Sequence, residues 1–241
     1  MKNRGMTMNQ AKLSQYDQRE RDWRFGAIVY QVIVDRFAPS NNIASKKHLY
    51  VYPRSLKSWD ELPKGGTFLE DVKYWSHELD FWGGDLESLR SKLDYIKSLD
   101  VDVIYLNPIC ESLSNHKYDA TNYLNISSEF GTKDDLKQLI QDVHNLNMKI
   151  MLDGVFNHVG VQNELYLDAL NGGAYKHFFD FNKAYPEGVR LWADVKSLPE
   201  LNLEDEDVKQ YIYKSNDSVI KSYLNMGVDG WRLDVAFDIG Y

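Results

Sequence analysis

Residues 230–236 read Gly-Trp-Arg-Leu-Asp-Val-Ala, an otherwise apolar segment that holds two opposite charges. Arg232 and Asp234 are two residues apart, and side chains at i and i+2 of a β-strand point to the same face. The guanidinium and the carboxylate are therefore expected side by side on a buried strand. Burying a charge is costly unless it is paired. By itself the segment allows either a structural ion pair at a strand end or part of a functional site.

The chain before this segment alternates between strand and helix patterns. Four apolar runs predict strands, at residues 27–34, 101–106, 149–156 and 228–235. Apolar residues at helical spacing predict three helices, starting at Asp85, Thr132 and about Asp205. Such an order predicts a parallel sheet that is buried on both faces and covered by helices. The sheet is either a doubly wound sheet or a (β/α)₈ barrel, and the lack of GxGxxG spacing at residues 83–85 disfavours a nucleotide-binding sheet.

Composition excludes several classes of function. The net charge of −8 and the lack of Lys/Arg-rich runs argue against nucleic acid or membrane as a partner. Cys110 is the only cysteine, so the chain forms no internal disulfide. Residues 1–22 are polar and lack the apolar stretch of a signal peptide or membrane anchor, so a cytoplasmic location is expected. Aromatic residues make up 13% and suit sugar stacking, although they also fill cores.

Polar residues follow three consecutive predicted strands. They are Asn107 with residues 115–119, then Asp153 with Asn157 and His158, and finally Arg232 with Asp234. Parallel α/β folds build their sites at the carboxyl ends of strands, so these residues predict an active site. A carboxylate beside an arginine stays ionised, which suits a nucleophile or a stabiliser of positive charge. HExxH, paired cysteines and GxSxG are absent, which argues against zinc and serine hydrolases.

Five segments in order resemble the alpha-amylase superfamily of glycoside hydrolases, nearest the neopullulanase, cyclomaltodextrinase and maltogenic amylase branch. They are residues 30–37 (YQVIVDRF), 81–86 (FWGGDL), 114–119 (SNHKYD), 153–158 (DGVFNH) and 230–236 (GWRLDVA). The resemblance implies an α/β fold of the (β/α)₈ TIM-barrel type, of which the chain carries the first four βα units. It also implies a polar segment over residues 1–22, the N-terminal half of a catalytic barrel over 23–241, and a small inserted domain over 158–203.

The resemblance also implies the roles of the charged residues. Asp234 matches the nucleophile that forms a covalent glycosyl intermediate with retention of configuration. Arg232 matches the arginine that orients this carboxylate and keeps it ionised. Asp153 would in turn orient Arg232.

Four further residues match positions that form the sugar pocket. His158 and Tyr118 match the residues that contact the sugar at the cleavage position, and Asp119 and Asn157 would support that pocket. On the residues alone, His158 would be a core histidine, but its place after Asn157 at a strand end favours a functional role.

No cofactor is required by this resemblance, and calcium is the one metal it allows. Some relatives bind Ca²⁺ through the loop after the first strand together with a Gly-Gly-Asp turn. Gly83 and Asp85 fit that turn, whereas the loop at residues 38–42 departs from the usual Asn/Asp-rich pattern.

The expected partner is an alpha-linked glucan or maltooligosaccharide, such as starch or a cyclodextrin. In this family the acid/base glutamate follows the fifth barrel strand, which would lie beyond Tyr241, so the chain alone is expected to be inactive. Two alternatives stay open. One is a non-catalytic carbohydrate-binding or assembly module, and the other is a transglycosylase or sugar isomerase of the same superfamily. The exact glucan and the oligomeric state are not determined by the sequence.

Overall fold

The computed structural model describes residues 4–239. Its strands are β1 (Val29–Val32), β2 (Ser55–Leu56), β3 (Phe68–Leu69), β4 (Tyr74–Trp75), β5 (Asp80–Phe81), β6 (Val103–Leu106), β7 (Cys110–Ser112), β8 (Ala120–Ile126), β9 (Lys149–Gly154) and β10 (Gly230–Leu233). Its α-helices are α1 (Arg4–Arg21), α2 (Ile43–Lys46), α3 (Leu86–Arg90), α4 (Leu93–Lys97), α5 (Lys133–Asn145), α6 (Glu164–Leu170), α7 (Glu206–Lys209) and α8 (Val219–Asn225). None of the helices in the described part of the chain is both long and apolar enough to cross a bilayer.

A four-stranded parallel sheet lies at the centre, in the order β1-β6-β9-β10. These four strands are the four apolar runs of the sequence, each shorter than predicted, so the predicted parallel sheet is confirmed. β6 and β9 are in the middle, and every residue of β6 is buried. In register, Arg232 of β10 pairs with Asp153 of β9. This register brings the two charged strand ends into contact.

The prediction that all strands are buried on both faces is wrong for the outer two. Arg232 and Leu233 of β10 are exposed, and β1 also exposes Val29. Within residues 4–239 each of these strands has a neighbour on one side only, so fewer side chains cover it.

The predicted helix starts at Asp85 and Thr132 are confirmed. Each of these side chains accepts a hydrogen bond from the backbone N–H three residues on, in a capping box. The helix expected after Asp85 is split into α3 and α4. At the break, the Ser91 hydroxyl donates to the Ser88 carbonyl at 2.7 Å, a local bond that competes with helical continuation.

The single helix predicted over residues 205–226 is wrong. Asp205 caps α7, which continues into a π-helical turn over Gln210–Lys214, and Ser218 then caps a new helix, α8. Residues 215–218 are Ser-Asn-Asp-Ser, types that prefer caps and turns to helix interiors.

Several elements were missed by the sequence patterns. Residues 1–22 contain helix α1, residues 158–203 contain helix α6, and strands β7 and β8 form an antiparallel hairpin. The hairpin connection is the loop that carries Tyr118 and Asp119. Strands β2 to β5 and helix α2, over residues 43–81, were also not predicted from the sequence.

Candidate active site

Arg232 joins two carboxylates at the carboxyl end of the sheet. Its Nη1 donates to Asp153 Oδ1 at 3.0 Å and to Asp234 Oδ1 at 2.6 Å. Asp234 follows the last residue of β10, and its backbone N–H donates to the Gly154 carbonyl at 3.1 Å. The next residue, Val235, has φ of 48°, a costly conformation for a β-branched side chain. The chain therefore turns sharply just after it has delivered the carboxylate.

Asp153 is the buried anchor of this group. Its side chain is 0% exposed. Its Oδ2 accepts hydrogen bonds from the hydroxyls of Tyr105 and Tyr118, the latter at 2.9 Å. Burial raises the pKa of Asp153, and the hydrogen bonds from the tyrosines and Arg232 lower it by less. Asp153 thus fixes Arg232 on one side and Tyr118 on the other.

Arg232 stays protonated between its two partners. Burial lowers the pKa of Arg232, but the hydrogen bonds and charges of Asp153 and Asp234 outweigh it and hold the pKa above its ordinary value. Asp234 Oδ1 accepts from Arg232, whereas Oδ2 accepts no hydrogen bond from the described residues.

The Tyr118 loop is fixed from both sides. The Tyr118 hydroxyl also accepts from Asn107 Nδ2 at 3.0 Å. The neighbouring Asp119 is buried, and its carboxylate accepts from the hydroxyls of Ser112 at 2.6 Å, Ser114, and Tyr74 at 2.7 Å. Because these donors occupy both oxygens, Asp119 holds the loop, and Tyr118 is the member of this pair that faces the Arg232 group.

His158 is a buried, neutral imidazole. It is 1% exposed, and its ring stacks on Trp192 with centroids 5.3 Å apart. Asn157, also buried, places Nδ2 3.5 Å from His158 Nδ1, whereas Nε2 has no hydrogen-bond partner among residues 4–239. Burial lowers the pKa of His158 to about 4, against the smaller raising effect of the Asp234 charge. An unpaired buried ring nitrogen is costly and is available to a ligand hydroxyl.

The imidazole of His158 is therefore expected to stay neutral down to mildly acidic pH. In an NMR titration its C2 proton should show a pKa of about 4, and His158→Gln assigns the resonance by its loss. Since the folded state favours the neutral ring, this group stabilises the fold above its ordinary pKa and ceases to do so as the pH falls towards 4. A titration midpoint above the ordinary value of about 6.5 would contradict the burial of this ring.

The structure brings seven of the predicted site residues to this end of the sheet: Asp234, Arg232, Asp153, Tyr118, Asp119, Asn157 and His158. Gly83 and Asp85 contact other groups: the Gly83 N–H donates to Asp35, and the Asp85 carboxylate accepts from Ser88 and Lys46. The sequence patterns missed Tyr105, whose only signal is an aromatic ring in the otherwise aliphatic strand β6. They also missed Trp192, because no motif or spacing near it in the sequence indicates a place in the site.

The profile described as "Alpha amylase, catalytic domain" matches residues 31–240, most of the chain. The chain belongs to the alpha-amylase family. It is thus a member of a family of glycoside hydrolases, as its motifs predicted.

Curated relatives of the chain support its assignment to the alpha-amylase family. An amylopullulanase of Thermoanaerobacter thermohydrosulfuricus is 36% identical, and the match covers 91% of this chain but 17% of the relative. Neopullulanase 2 of Thermoactinomyces vulgaris is 33% identical over 91% of this chain and 35% of the relative. The chain therefore spans about a third or less of the length of these relatives.

Solved structures match the same region. The cyclic alpha-maltosyl-(1→6)-maltose hydrolase of Arthrobacter globiformis superposes with a TM-score of 0.75 at 28% identity, over 91% of this chain and 46% of that one. The type III pullulan hydrolase of Thermococcus kodakarensis superposes with a TM-score of 0.74 at 28% identity, over 88% of this chain and 38% of that one. The predicted α/β fold of the (β/α)₈ barrel type, with a parallel four-stranded sheet in this chain, is confirmed.

Proposed function

We propose that this chain supplies the nucleophile and part of the sugar pocket of a retaining alpha-glucan hydrolase. The observation that carries the proposal is the position of Arg232, whose Nη1 lies between Asp153 and Asp234. A guanidinium there holds the Asp234 carboxylate in one orientation and leaves Oδ2 free. Tyr118 and His158 lie close enough for the Asp234 charge to act on both.

In the proposed reaction Asp234 Oδ2 attacks the anomeric carbon of the sugar. The glycosidic C–O bond breaks, its electron pair leaves with the aglycone oxygen, and that oxygen takes a proton from a second carboxyl group. Water then hydrolyses the glycosyl–aspartate ester and restores the free carboxylate. Arg232 keeps Asp234 oriented through both steps. The neutral His158 offers Nε2 to a sugar hydroxyl, and the Tyr118 ring provides an apolar face for the sugar ring.

Alpha-linked glucans are the proposed substrates. The relatives are named for action on pullulan, cyclomaltodextrin and a cyclic maltosyl-maltose. A neutral polysaccharide also suits a chain with a net charge of −8, which would repel anionic polymers. A cytoplasmic location is part of the proposal and is supported by the name of the intracellular maltogenic amylase of Bacillus subtilis, 32% identical.

The proposal is tested with an alpha-glucosyl fluoride that carries a second fluorine at C5. Fluoride leaves without a proton, so the test isolates the nucleophile from the proton donor. The C–F bond breaks, fluoride departs with the electron pair, and an ester forms on Asp234, which should raise the intact mass by one fluoroglucosyl group. Peptide mapping should place the group on the peptide containing residue 234.

Two results would count against the proposal. An adduct on another carboxylate would give the nucleophile role to a different residue. Saturable binding of maltotetraose with no adduct at all would instead support the non-catalytic carbohydrate-binding alternative.

A further inference from the structure

A lysine ammonium lies beside the Gly-Gly-Asp turn, where the family resemblance allows calcium. Lys46, the last residue of α2, donates from Nζ to Asp85 Oδ2 at 2.7 Å and to the Glu129 carbonyl at 3.1 Å. The side chains are 20% exposed for Lys46 and 2% for Asp85. This is a largely enclosed ion pair between residues 39 positions apart in the sequence.

Both oxygens of Asp85 are already used. Oδ1 accepts from the Ser88 backbone N–H at 2.7 Å and so caps α3, while Oδ2 holds Lys46. Each carboxylate oxygen of Asp85 therefore already accepts a hydrogen bond from a donor of this chain.

The remaining groups around the turn do not complete a calcium site. Ca²⁺ takes about six to eight oxygen ligands at roughly 2.4 Å. The nearby carboxylate of Asp35 accepts the backbone N–H groups of Trp82 at 3.0 Å and Gly83 at 2.9 Å. Asn41 and Asn42, in the loop after the first strand, are exposed. A divalent cation bound at Asp85 would also lie against the Lys46 ammonium, and like charges repel at such distances.

We propose that Lys46 is an internal counter-cation that replaces calcium in this chain. Its ammonium ties α2, which follows the first strand, to the start of α3 and to the backbone at Glu129. This part of the fold then needs no metal. Removal of the lysine side chain would leave the buried Asp85 carboxylate without its counter-charge. The inference does not depend on the chemistry assigned to Asp234.

Thermal unfolding of the full chain tests the proposal, with Lys47→Ala as the matched control because Lys47 is the exposed neighbour of Lys46. EDTA or millimolar CaCl₂ should move the Tm of the wild type by less than about 1 °C. Lys46→Ala should lower the Tm by roughly 5 °C or more, because it leaves Asp85 unpaired. Lys47→Ala should leave the Tm close to that of the wild type.

Two results would overturn the proposal: a Tm of the wild type that falls with EDTA, or a Tm of Lys46→Ala equal to that of Lys47→Ala. If Lys46→Ala does not fold, two measurements on the wild type still test the proposal: the response of its Tm to EDTA, and a calorimetric titration with CaCl₂. Heat of calcium binding by the wild type at the Asp85 turn, lost in Asp85→Asn, would show that calcium displaces the ammonium.

Discussion

Asp234→Asn is expected to form the fluoroglucosyl adduct at least about 1,000-fold more slowly than the wild type. The amide has almost the same shape as the carboxylate but lacks its negative charge and its nucleophilic oxygen. Arg232 Nη1, 2.6 Å from Asp234 Oδ1 in the wild type, can still donate to the amide oxygen. The loss should therefore reflect chemistry rather than a displaced loop. Intact mass, followed over time after addition of the activated sugar, measures it.

The matched control is Asp238→Asn, which removes the same charge from an exposed residue in the same segment. It should label at the rate of the wild type. Circular dichroism spectra of both variants should overlay that of the wild type, which separates a chemical effect from unfolding. If Asp234→Asn and Asp238→Asn label equally fast, Asp234 is not the nucleophile.

Lys117→Met is expected to destabilise the fold by about 3–5 kcal/mol, the typical cost of leaving one member of a buried ion pair alone. Lys117 and Glu129 form a direct ion pair with side chains 0% and 1% exposed. The Lys117 ammonium also lies over the rings of Phe81 and Phe130, 5.0 and 5.1 Å from their centroids. Without it, the Glu129 carboxylate keeps Arg54, at 3.5 Å, as its only ion-pair partner within the described part of the chain. Urea unfolding measures the change in free energy.

The double variant Lys117→Met with Glu129→Gln is the control for this pair. Because it removes both charges, it should be more stable than Lys117→Met alone. Lys137→Met removes an exposed ion pair with Asp134 and should change stability little. A double variant that is no more stable than Lys117→Met would mean that the lost lysine packing, and not the unpaired carboxylate, sets the cost.

Acid should weaken the contribution of Glu129. Burial raises the pKa of Glu129, but the lowering effect of the Lys117 and Arg54 charges is larger and holds this pKa well below its ordinary value. A carboxylate with a lowered pKa in the fold stabilises the protein above its ordinary pKa of about 4.3, and this stabilisation is lost as the pH falls below that value. The difference in unfolding free energy between wild type and Glu129→Gln should therefore shrink from neutral pH to about pH 3. A constant difference would contradict the ion pair.

This pair also bears on the candidate site, because Lys117 directly precedes Tyr118. Lys117 has φ of 65°, a left-handed conformation that a lysine adopts only where its surroundings impose it. Its burial against Glu129 therefore sets the direction of the loop that presents Tyr118 to Asp153. The sequence motif at residues 114–119 contained Lys117, but nothing in the motif indicated that its ammonium is buried.

The sequence alone determined the features that depend on neighbours along the chain. The apolar runs predicted the four central strands, the capping residues Asp85 and Thr132 predicted two helix starts, and the two-residue spacing of Arg232 and Asp234 predicted their contact. These signals work because strand alternation, caps and turns involve residues a few positions apart. The same local logic failed over residues 205–226, where capping residues inside an apolar helical pattern ended the helix.

The tertiary structure alone decided the contacts between distant residues. Tyr105 reaches Asp153 across 48 positions, and Lys46 reaches Asp85 across 39. Trp192 stacks on His158. No local pattern records such pairs, because they depend on how the sheet, the hairpin and the loops pack together. The sequence therefore named the charged groups of the site, whereas the fold decided which of them are buried, which are paired, and that a lysine lies where calcium was allowed.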